Sequence, residues 1–290
     1  MNQAVTIGTR SVSEGSPCYV VAEIGINHNG SVEKAKQLID AAVAAGCDAV
    51  KFQKRTVEVV YTPDELSQSR ISPFGDTNGD LKRGLEFGKS EYREIDAYCR
   101  EKDIPWCASC WDEGSLEFIE AFGPPCYKIP SASLTDGALL RHYAGTGRPL
   151  ILSTGMSSLE EIDRAVEILG TERLVLLHCT STYPSRLEEL NLKVIPTLKE
   201  RYRVPVGYSG HEVGLATTVA AVVTGACMVE RHITLDRSMW GSDQAASVEP
   251  QGFSRMVRDI RAVEKALGDG VKRVYESEIP IREKLRRVSS

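Results

Sequence analysis

The stretch Val204–Thr234, VPVGYSGHEVGLATTVAAVVTGACMVERHIT, decides how the chain is read. It opens with an apolar run that ends in Gly207-Tyr208-Ser209-Gly210-His211. A helical segment of small residues follows, then a second apolar run ending in Glu230-Arg231-His232. The pattern is strand, helix, strand, with a histidine at the exit of each strand. Two parallel strands joined by one short helix normally lie side by side. Their tips would then sit roughly 5 Å apart, close enough for both imidazoles to hold one metal ion. The alternative is two unrelated histidines, each satisfied by its own hydrogen bonds.

Working outward, the same unit recurs along the chain. Apolar runs at Cys18–Asn27, Ala49–Gln53, Pro105–Cys110, Cys126–Ser131, Pro149–Gly155 and Leu174–Ser181 precede the two already quoted. Helical patterns separate them: Ser31 caps a helix with Ala35, Leu38, Ile39, Ala42 and Ala45 on one face, and Gly46 stops it. Further helices are expected over Glu91–Lys102 (capped by Ser90), Gly114–Phe122, Thr135–Ala144, Ser158–Leu169, Leu187–Arg201 and Phe253–Leu267. Continuous apolar strands alternating with helices imply a parallel sheet covered by helices. Eight such units suit an α/β fold of the closed (β/α)8, or TIM-barrel, kind. The barrel would occupy about 18–268 of a single domain spanning 1–290, with no second domain. An open doubly wound sheet is the alternative, but no G-x-G-x-x-G follows a strand, and Gly25–Gly30 lacks the lysine of a phosphate loop. Val5–Val12 is expected to be a β-hairpin plugging the bottom of the barrel. Arg55–Gly88, broken by prolines and glycines, reads as an extended loop with a little helix, functional or mobile. The charged tail Gly270–Ser290 has no clear partner element.

Composition narrows the function. The chain of 290 residues carries a net charge of -5 with basic and acidic residues interspersed, and no basic groove with interleaved aromatics, which argues against nucleic acid. No apolar run approaches the ~20 residues of a membrane span, and Met1–Arg10 lacks the apolar segment of a secretory signal. The expectation is a soluble, cytoplasmic protein. The eight cysteines fall mostly within apolar runs, as small buried side chains. Cys107 and Cys110 match C-x-x-C, but they sit inside an expected strand, where positions i and i+3 face opposite ways. A redox pair needs a helix N-terminus instead.

In a (β/α)8 enzyme the site forms where the strands end, and polar residues collect there. They are Glu23, Asn27 and His28 at the first strand, Lys51 and Gln53 at the second, Ser109 at the third, and Lys128 and Ser131 at the fourth. Ser153 and Thr154 follow at the fifth, His178, Thr180, Ser181 and Tyr183 at the sixth, Ser209 and His211 at the seventh, and Glu230 and His232 at the eighth, with Asp243 in the loop beyond. Lys51 and Lys128 lie in otherwise apolar strands, where an ammonium needs an anionic partner. That partner is either Glu23 or Glu230, or a bound phosphate or carboxylate cradled with the nearby hydroxyls. His178 reads as a core residue, and His28 as one that could face solvent. Two neutral imidazoles beside such a cradle would let a metal act as a Lewis acid on a carbonyl. The residues alone lead to a metal-assisted addition or elimination on a phosphorylated or carboxylated metabolite.

At these same positions the chain resembles the N-acetylneuraminate (sialic acid) synthase family and its relatives for other nonulosonic acids. The matching pieces are Ala22–Gly30, Val50–Gln53, Tyr127–Ile129 with Ser131, Ile151–Met156, His178–Thr180 with Tyr183-Pro184, Gly207–His211, Glu230–His232, Gly241–Asp243 and Ser247–Pro250. The resemblance implies condensation of phosphoenolpyruvate with the open-chain aldehyde of an N-acyl hexosamine or related aldose, giving a sialic-acid-like 2-keto sugar acid and phosphate. By the same resemblance His211 and His232 bind a divalent metal, usually Mn2+, with Mg2+ or Co2+ as alternatives. Lys51, Ser109, Lys128, Ser131, Ser153, Ser181 and Ser209 would hold phosphoenolpyruvate. Glu23, Lys51 and Gln53 would be the catalytic groups, with Tyr183 among the substrate-binding residues and Asp243 contacting the sugar or a metal-bound water. Family members of usual length carry a C-terminal antifreeze-like domain and form dimers. The expectation is therefore a short form and a homodimer, with a separate capping protein as a further partner. The family's sialic acid members carry glutamate where Ser133 stands and asparagine where Ser181 stands. Two alternatives stay open: a related synthase using a phosphorylated aldose or another chain length, and a non-catalytic barrel that binds sugar or phosphoenolpyruvate.

Overall fold

The computed structural model describes residues 3–288, so Met1, Asn2, Ser289 and Ser290, the outermost ends of the expected 1–290 span, lie outside the described residues. Twelve strands occur among them. In chain order they are β1 (Val5–Ile7), β2 (Arg10–Val12), β3 (Tyr19–Gly25), β4 (Ala49–Lys54), β5 (Ser69–Ser72), β6 (Gly75–Thr77), β7 (Trp106–Cys110), β8 (Tyr127–Ile129), β9 (Leu150–Ser153), β10 (Leu174–Cys179), β11 (Val206–Gly210) and β12 (Met228–His232). Eight of them close a parallel barrel in the order β10-β11-β12-β3-β4-β7-β8-β9. The (β/α)8 expectation holds, and the open sheet is excluded.

One parity rule explains the barrel. Successive side chains of a strand point to opposite faces. In β3, Val20, Ala22 and Ile24 join the large core between strands and helices. Tyr19 and Val21 join a second cluster, inside the barrel, and Glu23 stands above them on the same inward parity. The other strands repeat this. Ala49 lies below Lys51 and Gln53 in β4, Cys107 below Ser109 in β7, Ile151 below Ser153 in β9, and Met228 below Glu230 and His232 in β12. The inward positions are thus apolar in the lower layer and polar in the upper one. Burial of the first layer drives closure, and the second layer lines a site. Val5, Ile7 and Val12 of the β1–β2 hairpin belong to the inner cluster, so the hairpin closes the N-terminal mouth as expected. Cys107 faces inside and Cys110 outside, and both thiols are free, as the strand reading of C-x-x-C required.

The helices follow their sequence signals closely. The helix Val32–Ala45 has Ser31 as its N-cap, accepting from the Lys34 N–H at 3.3 Å, and ends on Gly46 at φ 80°. Ser158 caps Leu159–Leu169 in a reciprocal capping box with Glu161. The Ser90 cap is a correction: the helix is Lys89–Glu101, its N-cap is Gly88, and Glu91 accepts from the Gly88 N–H at 3.0 Å. A second correction concerns Arg55–Gly88. It is an ordered excursion: short helices Val57–Val60, Pro63–Ser67 and Asn78–Leu85, with the β5–β6 hairpin between the last two. Thr62 with Glu65 and Thr77 with Asp80 form capping boxes, and Leu81, Leu85 and Phe87 are buried. Helix-breaking prolines and glycines here mark element boundaries rather than disorder. Leu187–Arg201 divides into a 3-10 turn at Leu187–Glu189 and the helix Val194–Tyr202. The last barrel helix is Pro250–Leu267. In the tail, Glu276–Glu278 and Ile279–Leu285 are helical, and none of their side chains is buried. No helix among the described residues is long and apolar enough to cross a membrane.

Candidate active site

The upper polar layer encloses a cavity of about 270 Å³ at the C-terminal mouth of the barrel. The barrel register fixes who meets whom: Glu23 lies beside His232 and Lys51, Ser109 beside Gln53 and Lys128, and Ser209 beside Glu230. Of the expected site residues, Glu23, Lys51, Gln53, Ser109, Lys128, Ser131, Ser153, Ser181, Tyr183, Ser209, His211 and His232 all line this cavity. Asp243 does not. It sits in the loop beyond β12, accepts from Ser242 Oγ at 2.7 Å, and bears on the site as a nearby charge on His232 and Tyr183. A larger groove of about 970 Å³ lies at the opposite end, beside the hairpin. Its charges satisfy one another, with Arg10–Asp48 at 2.9 Å and Arg261–Asp48 at 3.1 Å, so it offers no convergent free group.

Two sets of side chains in the cavity differ in chemistry. In one, Lys51 contacts Glu23, approaches Glu230 Oε1 at 3.6 Å, and donates to Ser109 Oγ at 3.0 Å. Lys128 lies 3.8 Å from Glu230 Oε1 and donates to the Ile129 carbonyl at 3.2 Å. Both carboxylate partners considered for the lysines are therefore engaged, and the hydroxyl ring surrounds them as well. Ser209 Oγ donates to Glu230 at 3.2 Å, and Ser131 Oγ accepts from the Gly155 N–H at 3.0 Å. Burial works against the Lys51 charge, but Glu23 and then Glu230 outweigh it and hold the ammonium protonated. Burial pushes the Lys128 pKa down. Burial also pushes the Glu23 carboxyl up, against the pull of Lys51. Burial acts the same way on Glu230, but Lys128 and then Lys51 reverse it and keep that carboxyl below its ordinary range. Burial and the two lysines thus shift the two carboxyls in opposite directions.

The other set is the two histidines, His232 being the register neighbour of Glu23; their ring centroids are 5.8 Å apart and tilted by 48°. His211 Nδ1 meets the Thr180 carbonyl at 2.7 Å, which fixes it as the N–H and leaves Nε2 as the lone-pair nitrogen. His232 Nδ1 is buried and has no partner among the described residues. Burial, then the neighbouring His232, pushes the His211 pKa down to about 4. Burial lowers His232 too. Both rings are neutral at pH 7, as metal ligands must be. No group of three or more His, Cys, Asp or Glu residues among the described ones could hold a metal ion. Tyr183 covers the pair, its ring 4.1 Å from that of His211 and 5.9 Å from that of His232.

Other side chains depart from expectation. His28 does not face solvent: it is buried, accepts from the Gly30 N–H at 3.1 Å, and stacks on Phe87 at 4.0 Å. The excursion Arg55–Gly88 supplies Phe87, so a loop assignment hid the burial. His178 is a core residue as expected, with Nε2 on the Leu190 carbonyl at 2.6 Å. Ser133 is buried in the turn after β8. Trp111 and Met156 line the cavity unannounced. Trp111 is the first residue after β7 and its buried Nε1 has no partner among the described residues, so the strand-exit rule could have found it.

Fold and site together define a barrel enzyme whose strand tips pair an ammonium-lined anion pocket with two neutral imidazoles. Comparison with known proteins narrows this class. Residues 38–272 match the family model described as the NeuB family, and the chain belongs to that family. It is 39% identical over 281 residues to N-acetylneuraminate-9-phosphate synthase of Homo sapiens, covering 95% of this chain and 78% of that protein. It is 36% identical over 290 residues to N,N'-diacetyllegionaminic acid synthase of Legionella pneumophila, covering 97% of this chain and 82% of that one. The crystal structure of N-acetylneuraminic acid synthetase from Leptospira borgpetersenii, in complex with citrate, superposes with a TM-score of 0.86 at 32% identity, covering 99% of both chains.

Proposed function

We propose that the chain condenses phosphoenolpyruvate with the open-chain aldehyde of an N-acyl hexosamine or related aldose, giving a nonulosonic 2-keto acid and phosphate. The observation that carries this reading is the single cavity of a NeuB-family barrel that brings lysines and hydroxyls together with two neutral imidazoles.

In this reading Lys51 and Lys128, with Ser109, Ser131, Ser153, Ser181 and Ser209, hold the phosphate and carboxylate of phosphoenolpyruvate. The ammonium groups stabilise the charge that grows as phosphate leaves. His211 and His232 fit a divalent cation, because each ring is neutral and His232 Nδ1 is a buried atom lacking a partner. Manganese held there would supply Lewis-acid polarisation of the acceptor aldehyde. The enolpyruvate C3 bonds to the aldehyde carbon, whose oxygen becomes a hydroxyl. Water adds at C2, the C2–O bond to phosphate breaks, and the 2-keto group forms. Glu23, buried between Lys51 and Gln53 with the Gln53 amide donating at 3.2 Å, handles the proton of the attacking water or of the new hydroxyl. Tyr183 excludes bulk water over the histidines, and Asp243 acts on the acceptor from the loop above.

The relative named for a 9-phosphate product favours a second acceptor class. Three carbons added at C1 of a hexose move its C6 to C9, so such a product requires a 6-phosphorylated acceptor. The test is incubation of the metal-loaded protein with phosphoenolpyruvate and a panel of free and 6-phosphorylated N-acyl hexosamines, read by phosphate release and product mass. Turnover with at least one acceptor is expected. Absence of phosphate release with every member, in folded manganese-loaded protein, overturns the proposal.

A further inference from the structure

Behind the two histidines lies a buried ion pair that the chemistry above leaves unused. Arg231 Nη1 donates to Glu212 Oε1 at 2.9 Å, with the two side chains 1% and 0% exposed. Each member is the sequence neighbour of one histidine: Glu212 follows His211, and Arg231 precedes His232. In β12 the alternation puts Arg231 on the outer face while Glu230 and His232 face the cavity. The guanidinium therefore crosses behind the barrel wall from one histidine-bearing strand to the other.

We propose that Arg231 and Glu212 are positioning residues that set the separation and tilt of His211 and His232 for a shared divalent cation; this rests on the metal reading given above. Besides the bonds to the Glu212 carboxylate and to Thr218 Oγ1 at 2.6 Å, Arg231 donates to the backbone just beyond His211. Its Nη2 donates to the Glu212 carbonyl at 2.6 Å and its Nη1 to the Gly214 carbonyl at 3.0 Å. The Glu212 carboxylate is saturated in turn, accepting from Thr217 at 2.7 Å, Thr218 at 3.0 Å and the Tyr208 hydroxyl at 2.9 Å. On the opposite side, Ser185 N–H donates to the His211 carbonyl at 3.0 Å and the Thr180 carbonyl holds its ring. His211 is thus fixed between two clamps. Gly210 makes room for one of them, since a Cβ there would lie 2.6 Å from Glu212 Oε2 and 2.9 Å from Arg231 Cδ. A buried ion pair is a poor source of net stability compared with apolar residues of the same volume. Bonds that converge on the chain leaving the metal-binding strand serve orientation instead.

The test titrates Co2+ into metal-free wild type, Glu212→Gln, and the double variant Glu212→Gln/Arg231→Met, following visible absorption, with thermal melting of each metal-free form. Glu212→Gln strands a buried cation, so both Co2+ affinity and melting temperature fall, the affinity by about 10- to 100-fold. The double variant regains the melting temperature because no unpaired charge remains. Its Co2+ affinity stays low and its absorption band stays altered, because the staple to the chain after His211 is gone. Affinity that recovers together with the melting temperature marks a merely structural pair and overturns the proposal. If Glu212→Gln fails to fold, the double variant decides alone, and wild-type Co2+ affinity in it is again the overturning result. Wild type that binds no Co2+ overturns the metal reading and this inference with it, whereas wild-type binding unchanged in the variants overturns the inference only.

Discussion

Gly155→Ala is the most instructive single-atom change beside the hydroxyls assigned to the phosphate. Gly155 has no left-handed backbone to protect, so any effect of a side chain is steric. A Cβ built there lies 2.9 Å from both Ser131 Oγ and Cys179 Sγ, and closer still to Ser181 Oγ. All three are side-chain ends and none is backbone. The methyl therefore pushes aside the hydroxyls of the cavity wall while the strand behind it stays in place. A hydrogen bond from a hydroxyl to a charged group is worth about 1.5–3 kcal/mol. Displacing one such hydroxyl from the phosphate predicts a loss of about 10- to 150-fold in phosphoenolpyruvate affinity. Calorimetry with metal-free protein measures it, and Co2+ titration of the same variant reports separately on the histidine pair, whose His211 ring is held by Thr180 beside Ser181. The crowding itself should cost no more than about 3 kcal/mol of stability. Wild-type phosphoenolpyruvate affinity in the folded alanine variant would refute the placement of the phosphate beside Ser131 and Ser181.

Three more outcomes follow from the same geometry. Lys128→Met removes an ammonium 3.8 Å from Glu230 and should raise the KM for phosphoenolpyruvate far more than that for the acceptor, measured by steady-state phosphate release. His211→Ala deletes a strand-end ligand while β11 keeps its ladder, so metal-dependent turnover should vanish with the far-ultraviolet spectrum unchanged; surviving turnover would contradict the ligand assignment. The buried His28 gives the fold an acid limit. Burial, then the Arg55 charge, pushes its pKa down to about 3, so the imidazole is neutral when folded. Below the ordinary histidine pKa near 6.5 the unfolded chain takes up a proton that the fold excludes. Stability is thus full above pH 6.5 and falls with pH toward 3, by about 2 kcal/mol at pH 5 from this residue alone. Melting temperature against pH should show that slope, and His28→Gln should flatten it.

Most of the barrel was legible because its signal is repeated and local. Each strand is a short apolar run, several helices carry a capping side chain such as Ser31 and Ser158, and the inward parity turns polar at the upper end of most strands. Lys51 and Lys128 stood out for that reason, as charges inside apolar runs. What failed to show was what depends on distant packing. His28 looked exposed because Phe87, which covers it, belongs to a segment read as loop. The excursion Arg55–Gly88 is held by two capping boxes and a hairpin whose short elements each lack a full period of apolar residues. Ser90 offered a cap signal two residues too late, and the Gly88 N–H with Glu91 took the role. Asp243 was legible as a polar residue of the loop beyond the eighth strand, but whether that loop brings it into the cavity wall depends on the path of the loop, and it does not line the cavity. The Arg231–Glu212 pair was hidden within two motifs whose histidines drew the attention.

Anomalous diffraction at the manganese edge, from crystals grown with Mn2+ and phosphoenolpyruvate, tests the site most directly. The account predicts one peak between the rings of His211 and His232, with the phosphate in hydrogen-bond reach of Lys128 and the surrounding serines. A manganese peak away from both rings, or a phosphate bound outside this cavity, would contradict it.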